Sequence, residues 1–94
     1  MNYSRDEAAA CLAGDGAVYV VGGYGARVEN EHYSCLRSVE RFKAGKWEEV
    51  SSMNEGRRAH AVVSLGDYIY AIGGYNGKDH ICSIERYSIQ NGIW

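Results

Sequence analysis

Proline is absent from this sequence. Every tight turn must therefore be made by Gly, Asn or Asp. Cysteine is scarce: Cys11, Cys35 and Cys82 are odd in number and show no C-x-x-C spacing. That argues against a disulfide framework and a zinc site, and favours a reducing, cytoplasmic compartment. Basic runs are missing and the formal net charge is -2. The clustered Lys and Arg that neutralise phosphates are thus lacking, which argues against nucleic acid as a partner. No apolar run approaches the length of a membrane span, so no membrane partner is expected. The apolar piece Ala8 to Ala13, behind a polar N-terminus, is too short for a secretory core segment. No stretch keeps a 3.6-residue apolar period over a useful length, and helices are not expected.

What the sequence does hold is glycine and tyrosine, 12 and 8 of them, with Trp47 and Trp94. The stretch Tyr68-Ile69-Tyr70-Ala71-Ile72-Gly73-Gly74-Tyr75 runs from β-branched and aromatic residues into a glycine pair. This is a short strand bounded by turns, ending where the backbone needs φ > 0 or a close neighbour. Its near copy is Val18-Tyr19-Val20-Val21-Gly22-Gly23-Tyr24. The order then repeats. Ala8–Ala13 and Ala59–Leu65 read as first strands; Ala17–Val21 and Tyr68–Ile72 as second; Leu36–Phe42 and Ile81–Tyr87 as third. Trp47–Val50 is a fourth strand, and Asn91-Gly92 is a hairpin turn before Ile93-Trp94 opens another. Tyr24–Cys35 and Tyr75–His80 read as polar loops.

Gly22 to Gly73 spans 51 positions, Glu40 to Glu85 spans 45, and Trp47 to Trp94 spans 47. Four strands in a unit of about 50 residues is the period of a kelch propeller blade. The order Gly-Gly, Ser-[Val/Ile]-Glu-Arg-[Phe/Tyr], Trp, Met and then Arg resembles the kelch repeat. It is met at Gly22-Gly23, Ser38–Phe42, Trp47, Met53 and Arg58, and again at Gly73-Gly74, Ser83–Tyr87 and Trp94. The expected fold is all-β: a kelch-type β-propeller of two four-stranded blades, with residues 4–53 the first and 54–94 the second, its outer strand cut short. Two blades leave apolar flanks open. The chain is therefore expected to be a fragment of a propeller or one part of an oligomeric ring, three copies giving six blades.

In such a blade, Ala8–Ala10, Ala59, Ala61 and the glycine pairs answer crowding near the axis. Tyr19, Phe42 and Trp47, with Tyr70, Tyr87 and Trp94, suit blade-to-blade contacts. Glu40 and Glu85, amid apolar strand residues, are expected to be hydrogen-bonded or paired. His32, His60 and His80 have no metal-ligand spacing and read as solvent-exposed. No Ser has a nucleophile-elbow context. No helix follows Gly22-Gly23-Tyr24-Gly25 to bind a phosphate. Neither a cofactor nor catalysis is expected.

Recognition falls to the loops of one face: Tyr24, Arg27, Glu29, Glu31 and His32 with Tyr75, Asn76, Lys78 and Asp79, and the linker residues Arg57, Arg58 and Arg5. The sequence is similar to the kelch domains of BTB–kelch adaptors, which present substrates to cullin-RING ubiquitin ligases. That resemblance implies a protein- or peptide-binding module. Its contacts would fall on Tyr24, on Tyr75 with Asn76, and on Arg57-Arg58-Ala59, the paired arginines suiting an acidic degron. A cullin-RING partner would be reached through N-terminal domains outside these residues. Kelch repeats also occur in actin-associated proteins, which makes an actin-binding scaffold the alternative. Kelch-propeller enzymes of the galactose oxidase type need a Tyr–Cys–His ligand set that cannot be assembled here.

Overall fold

The chain forms ten short strands. A computed structural model describes residues 1–94, the side chain of Glu31 excepted. The strands are β1 (Tyr3–Asp6), β2 (Ala9–Leu12), β3 (Val18–Val21), β4 (Tyr24–Arg27), β5 (Asn30–Cys35), β6 (Val39–Lys43), β7 (Lys46–Val50), β8 (Ala61–Leu65), β9 (Tyr68–Ile72) and β10 (Ile84–Ser88). No helix occurs among the described residues. The antiparallel sheet β2-β3-β6-β7 is the first blade. The second is β8-β9-β10, in which a single bridge between Ser88 and Ile93 begins a fourth strand. The fold is thus an all-β partial propeller.

The third sheet, β1-β4-β5, corrects the reading of Tyr24–Cys35 as a loop. Those residues form a hairpin turning at Val28-Glu29, and the N-terminal segment pairs onto it, Tyr3 opposite Arg27 and Asp6 opposite Tyr24. Polar side chains on both faces hide the period-2 signal that marks a half-buried strand. Third strands also begin later than expected, at Val39 and Ile84. The reason is the same in both units: the Leu36 and Ile81 amides donate to the carbonyls of Gly23 and Gly74, at 2.7 and 2.9 Å, instead of joining the ladder. The first strand of the second blade begins at Ala61, because Ala59 sits at φ +52°, which a strand cannot contain.

The core lies between the blades. Tyr19, Val21 and Val39 present one face of the first sheet, and Ile69, Ala71 and Tyr87 one face of the second. Met53, from the linker, fills the gap. The Tyr19 and Tyr87 rings sit 5.9 Å apart, and Trp94 packs on Tyr87 at 5.2 Å. The Trp94 indole donates to the Ser51 carbonyl at 2.7 Å, tying the two blade ends together. Burial of each such side chain contributes roughly 1.5–3 kcal/mol. Aligning Gly22 with Gly73, Glu40 with Glu85 and Trp47 with Trp94 places Val18, Val20, Phe42 and Trp47 where the second blade has Ile69, Ala71, Tyr87 and Trp94. In the structure the face carrying Phe42 and Trp47 is open, each of these two residues being 39% exposed. Only half of the expected aromatic plates therefore meet across the blades here.

Each unit also carries one buried arginine, and this is its most polar structural device. The Arg57 guanidinium, 0% exposed, donates from one nitrogen to the carbonyls of Gly73 and Ser83, at 3.0 and 2.8 Å. Its other terminal nitrogen meets the Ser83 hydroxyl and pairs with Glu85 at 3.1 Å. Arg5 repeats the pattern on Gly22, Ser38 and Glu40, at 2.7, 3.0 and 2.8 Å. The glutamates in turn accept backbone amides of the lead-in: Asn2 on Glu40, Asn54 and Glu55 on Glu85. Meanwhile the Arg57 backbone bonds to the first blade, accepting from Gly23 at 2.7 Å and donating to Leu36 at 3.1 Å. One residue therefore belongs to both blades. The glycine pair makes room for it: a Cβ on Gly22 would fall 2.6 Å from the Arg57 carbonyl oxygen.

Candidate functional site

The tyrosines that follow the two glycine pairs converge on one side chain. The Arg58 guanidinium carbon lies 5.0 Å from the Tyr24 ring centre and 5.1 Å from that of Tyr75. The cation lies over both rings, and each such contact contributes about 0.5–1 kcal/mol at an exposed site. Its backbone is fixed as well, because Arg58 and Tyr75 exchange both N–H···O bonds at 3.0 Å. Arg58 remains 32% exposed, and its charged contact is Glu7, 3.7 Å away.

Around this side chain lies an open cleft of about 570 Å³, lined by Tyr24, Tyr33, Cys35, Tyr75, Asn76 and Lys78 among others. A second depression of about 420 Å³ adjoins it, formed by Glu7, Ala59 and His80 with Arg58 and Tyr75 shared. Tyr33 stands 6.1 Å from Tyr24 and the His80 ring 5.2 Å from Tyr75. Two cations, one carboxylate and four aromatic or imidazole rings thus surround the opening. Asn76 shapes one wall. Its side-chain oxygen accepts the amides of Lys78 and Asp79, and its side-chain nitrogen donates to Glu55 at 2.9 Å. That bond outweighs the small effect of burial and, helped by Ser83 and Arg57, holds the Glu55 carboxyl below the usual glutamate range. The arrangement can grip a planar anion and stack on flat groups. Among the described residues, no three His, Cys, Asp or Glu side chains group to hold a metal ion.

Of the residues expected at this face, the structure brings Tyr24, Arg58, Tyr75 and Asn76 together. Arg57 is a correction: its side chain is enclosed, and it holds the blades rather than facing a partner. Arg5 is likewise spent on Glu40. Arg27 lies elsewhere, over the Tyr3 ring at 4.9 Å and paired with Glu49 at 2.8 Å. His32 is exposed on β5 and does not line the cleft. The side chain of Glu31 lies outside the described residues.

Sequence reasoning missed Tyr33, hidden in a strand taken for a loop, and the role of Glu7. His60 is another correction, since its ring nitrogens are buried rather than solvent-exposed. Its ring packs against Gly22 and its Cβ region against Gly74. Burial, and then the Arg57 charge, push its pKa down; the Val21 carbonyl favours the protonated form without reaching hydrogen-bonding geometry.

A meander of four strands, a glycine pair, a buried arginine and a face-to-face second unit define a blade of a β-propeller. The kelch motif matches residues 8–54 and again 56–94, so the chain belongs to the kelch-repeat family. Its relatives include Kelch-like protein 35 of Mus musculus, 35% identical over 98% of this chain, and Kelch-like protein 35 of Homo sapiens, 33% identical over 98%. Kelch-like protein 4 of Homo sapiens is 37% identical over 69% of the chain. The chain spans only 15%, 14% and 10% of the length of these relatives. At the level these likenesses support, it is a protein-interaction module.

Proposed function

We propose that this chain recognises a protein or peptide through the cleft at Tyr24, Arg58, Tyr75 and Asn76, as the substrate-recognition part of a kelch adaptor to a cullin-RING ubiquitin ligase. The observation that carries the reading is the Arg58 guanidinium lying over both post-glycine tyrosines in the lining of an open cleft. A cation so positioned loses little freedom on binding and suits a carboxylate, so the ligand is an acidic peptide. Tyr and Arg are also the residues that most often dominate interface energetics. With this reading go a cytoplasmic site of action, a division into repeats at 4–53 and 54–94, and no catalytic role.

The test is a peptide array probed with the intact protein and with Arg58→Ala. Loss of a charged hydrogen-bonding partner is expected to weaken binding to acidic peptides about tenfold to a hundredfold. Equal binding by both proteins would remove Arg58 from the site.

A further inference from the structure

The two units differ most in charge at the positions just before their first strands. Arg5-Asp6-Glu7 in the first aligns with Arg57-Arg58-Ala59 in the second. The first residue of each triplet does the same structural work in both. The third has the same left-handed backbone in both, φ +53° at Glu7 and +52° at Ala59. That backbone is uncommon outside glycine, and the second unit adopts it with only a methyl group. The fold therefore does not require a glutamate at position 7.

Position 7 nonetheless carries a carboxylate, and the chain brings it across the blade junction. The Glu7 carbonyl accepts the Ala59 amide at 3.1 Å, which locks the two lead-ins side by side. The Glu7 side chain then reaches Arg58, with its oxygen 3.7 Å from a terminal guanidinium nitrogen. The distance is too long for a hydrogen bond, and both partners keep substantial exposure, 48% for Glu7 and 32% for Arg58. This is a loose ion pair, easily displaced, on a cation that also lies over the Tyr24 and Tyr75 rings. Glu7 already stands at one terminal nitrogen of Arg58, in the depression that adjoins the cleft, where a ligand anion would also pair.

We propose that Glu7 is an intramolecular competitor for the Arg58 edge. A carboxylate of the partner must displace it, so Glu7 sets the affinity threshold of the cleft and its discrimination against weakly anionic ligands. The inference rests on the cleft reading above. Replacing Glu7 by Ala copies the second unit's own residue and leaves the backbone contacts untouched.

The experiment is fluorescence anisotropy with a labelled peptide of alternating Glu and Gly and its Gln counterpart, on the intact wild type, Glu7→Ala and Arg58→Ala. Glu7→Ala is expected to bind the Glu peptide about two- to fivefold more tightly, the range of an exposed ion pair. The Gln peptide should show no such gain, and the gain should shrink with added salt. If wild type binds the Glu peptide through Arg58 and Glu7→Ala leaves the affinity unchanged or weaker, Glu7 is no competitor and the inference falls alone. If neither wild type nor Glu7→Ala binds the Glu peptide, or Arg58→Ala binds it as wild type does, the cleft reading falls and takes the inference with it.

Discussion

Arg57 and Arg58 are neighbours with opposite fates, and the first unit explains why. Its counterpart of Arg57 is Arg5, which makes the same set of bonds to the first glycine's carbonyl, the serine carbonyl and the strand glutamate. Its counterpart of Arg58 is Asp6, an exposed residue of opposite charge. At these two lead-in positions, the arginine that recurs is bound up in the blade, and the one that does not recur looks outward. The repeat thus supplies a control for this pair: the arginine with a structural task recurs in the first unit, and its neighbour does not.

The largest effect that tests this contrast is on stability. Arg57→Ala leaves Glu85 facing the blade junction without its partner and is expected to cost about 3–5 kcal/mol, the range for breaking a buried pair. Arg58→Ala should cost clearly less, about 1–2 kcal/mol from its two ring contacts. Urea unfolding of the two variants side by side reads the difference, and equal losses would erase the distinction between the two arginines.

The blade contact offers a second, comparable split. Tyr87 is buried against Tyr19, while its counterpart Phe42 is open. Tyr87→Ala should cost about 3–5 kcal/mol. Phe42→Ala should cost clearly less in this chain, because much of its ring area stays in water already. A Phe42 loss as large as that of Tyr87 would show that its face is covered in solution.

His60 sharpens the comparison at a smaller scale, because the first unit has Ala8 in its place. Burial holds the His60 pKa below its ordinary value of 6.5, so the folded state keeps the ring neutral where the unfolded chain would protonate it. The unfolded state then binds more protons, and stability falls as pH drops through 6.5 toward the lowered folded value. In His60→Ala this part of the pH dependence should vanish. Denaturation midpoints of both proteins at pH 7.5 and 5.5 measure it, and parallel shifts would contradict a buried neutral imidazole. The smallest effect concerns Arg27 and Glu49, an exposed pair worth about 0.2–1 kcal/mol. Arg27→Ala should leave acidic-peptide binding unchanged, since Arg27 stands apart from the cleft.

Much of this architecture is legible in the residues. Glycine pairs at fixed spacing, strand residues ahead of them and Trp near the end of each unit identify kelch blades, because each feature answers a local steric or packing demand. The hairpin β4-β5 was not legible: its partners are polar on both faces, and its pairing with β1 joins residues far apart in sequence. The site was half legible. Tyr24 and Tyr75 follow directly from the glycine pairs. Arg57 and Arg58 look alike in sequence until the lead-ins are aligned, when only Arg57 has a repeated partner in Arg5. Glu7 acquires meaning only in three dimensions, where the first lead-in lies beside the second.

The most direct test is to give the second unit the first unit's residue. Arg58→Asp, which copies Asp6, should keep the circular dichroism spectrum of wild type and a cooperative urea transition, with a loss far below that of Arg57→Ala, while binding the Glu–Gly peptide at least about tenfold more weakly. Unchanged peptide binding by a folded Arg58→Asp protein, or its unfolding, would contradict the division between a structural Arg57 and a recognising Arg58.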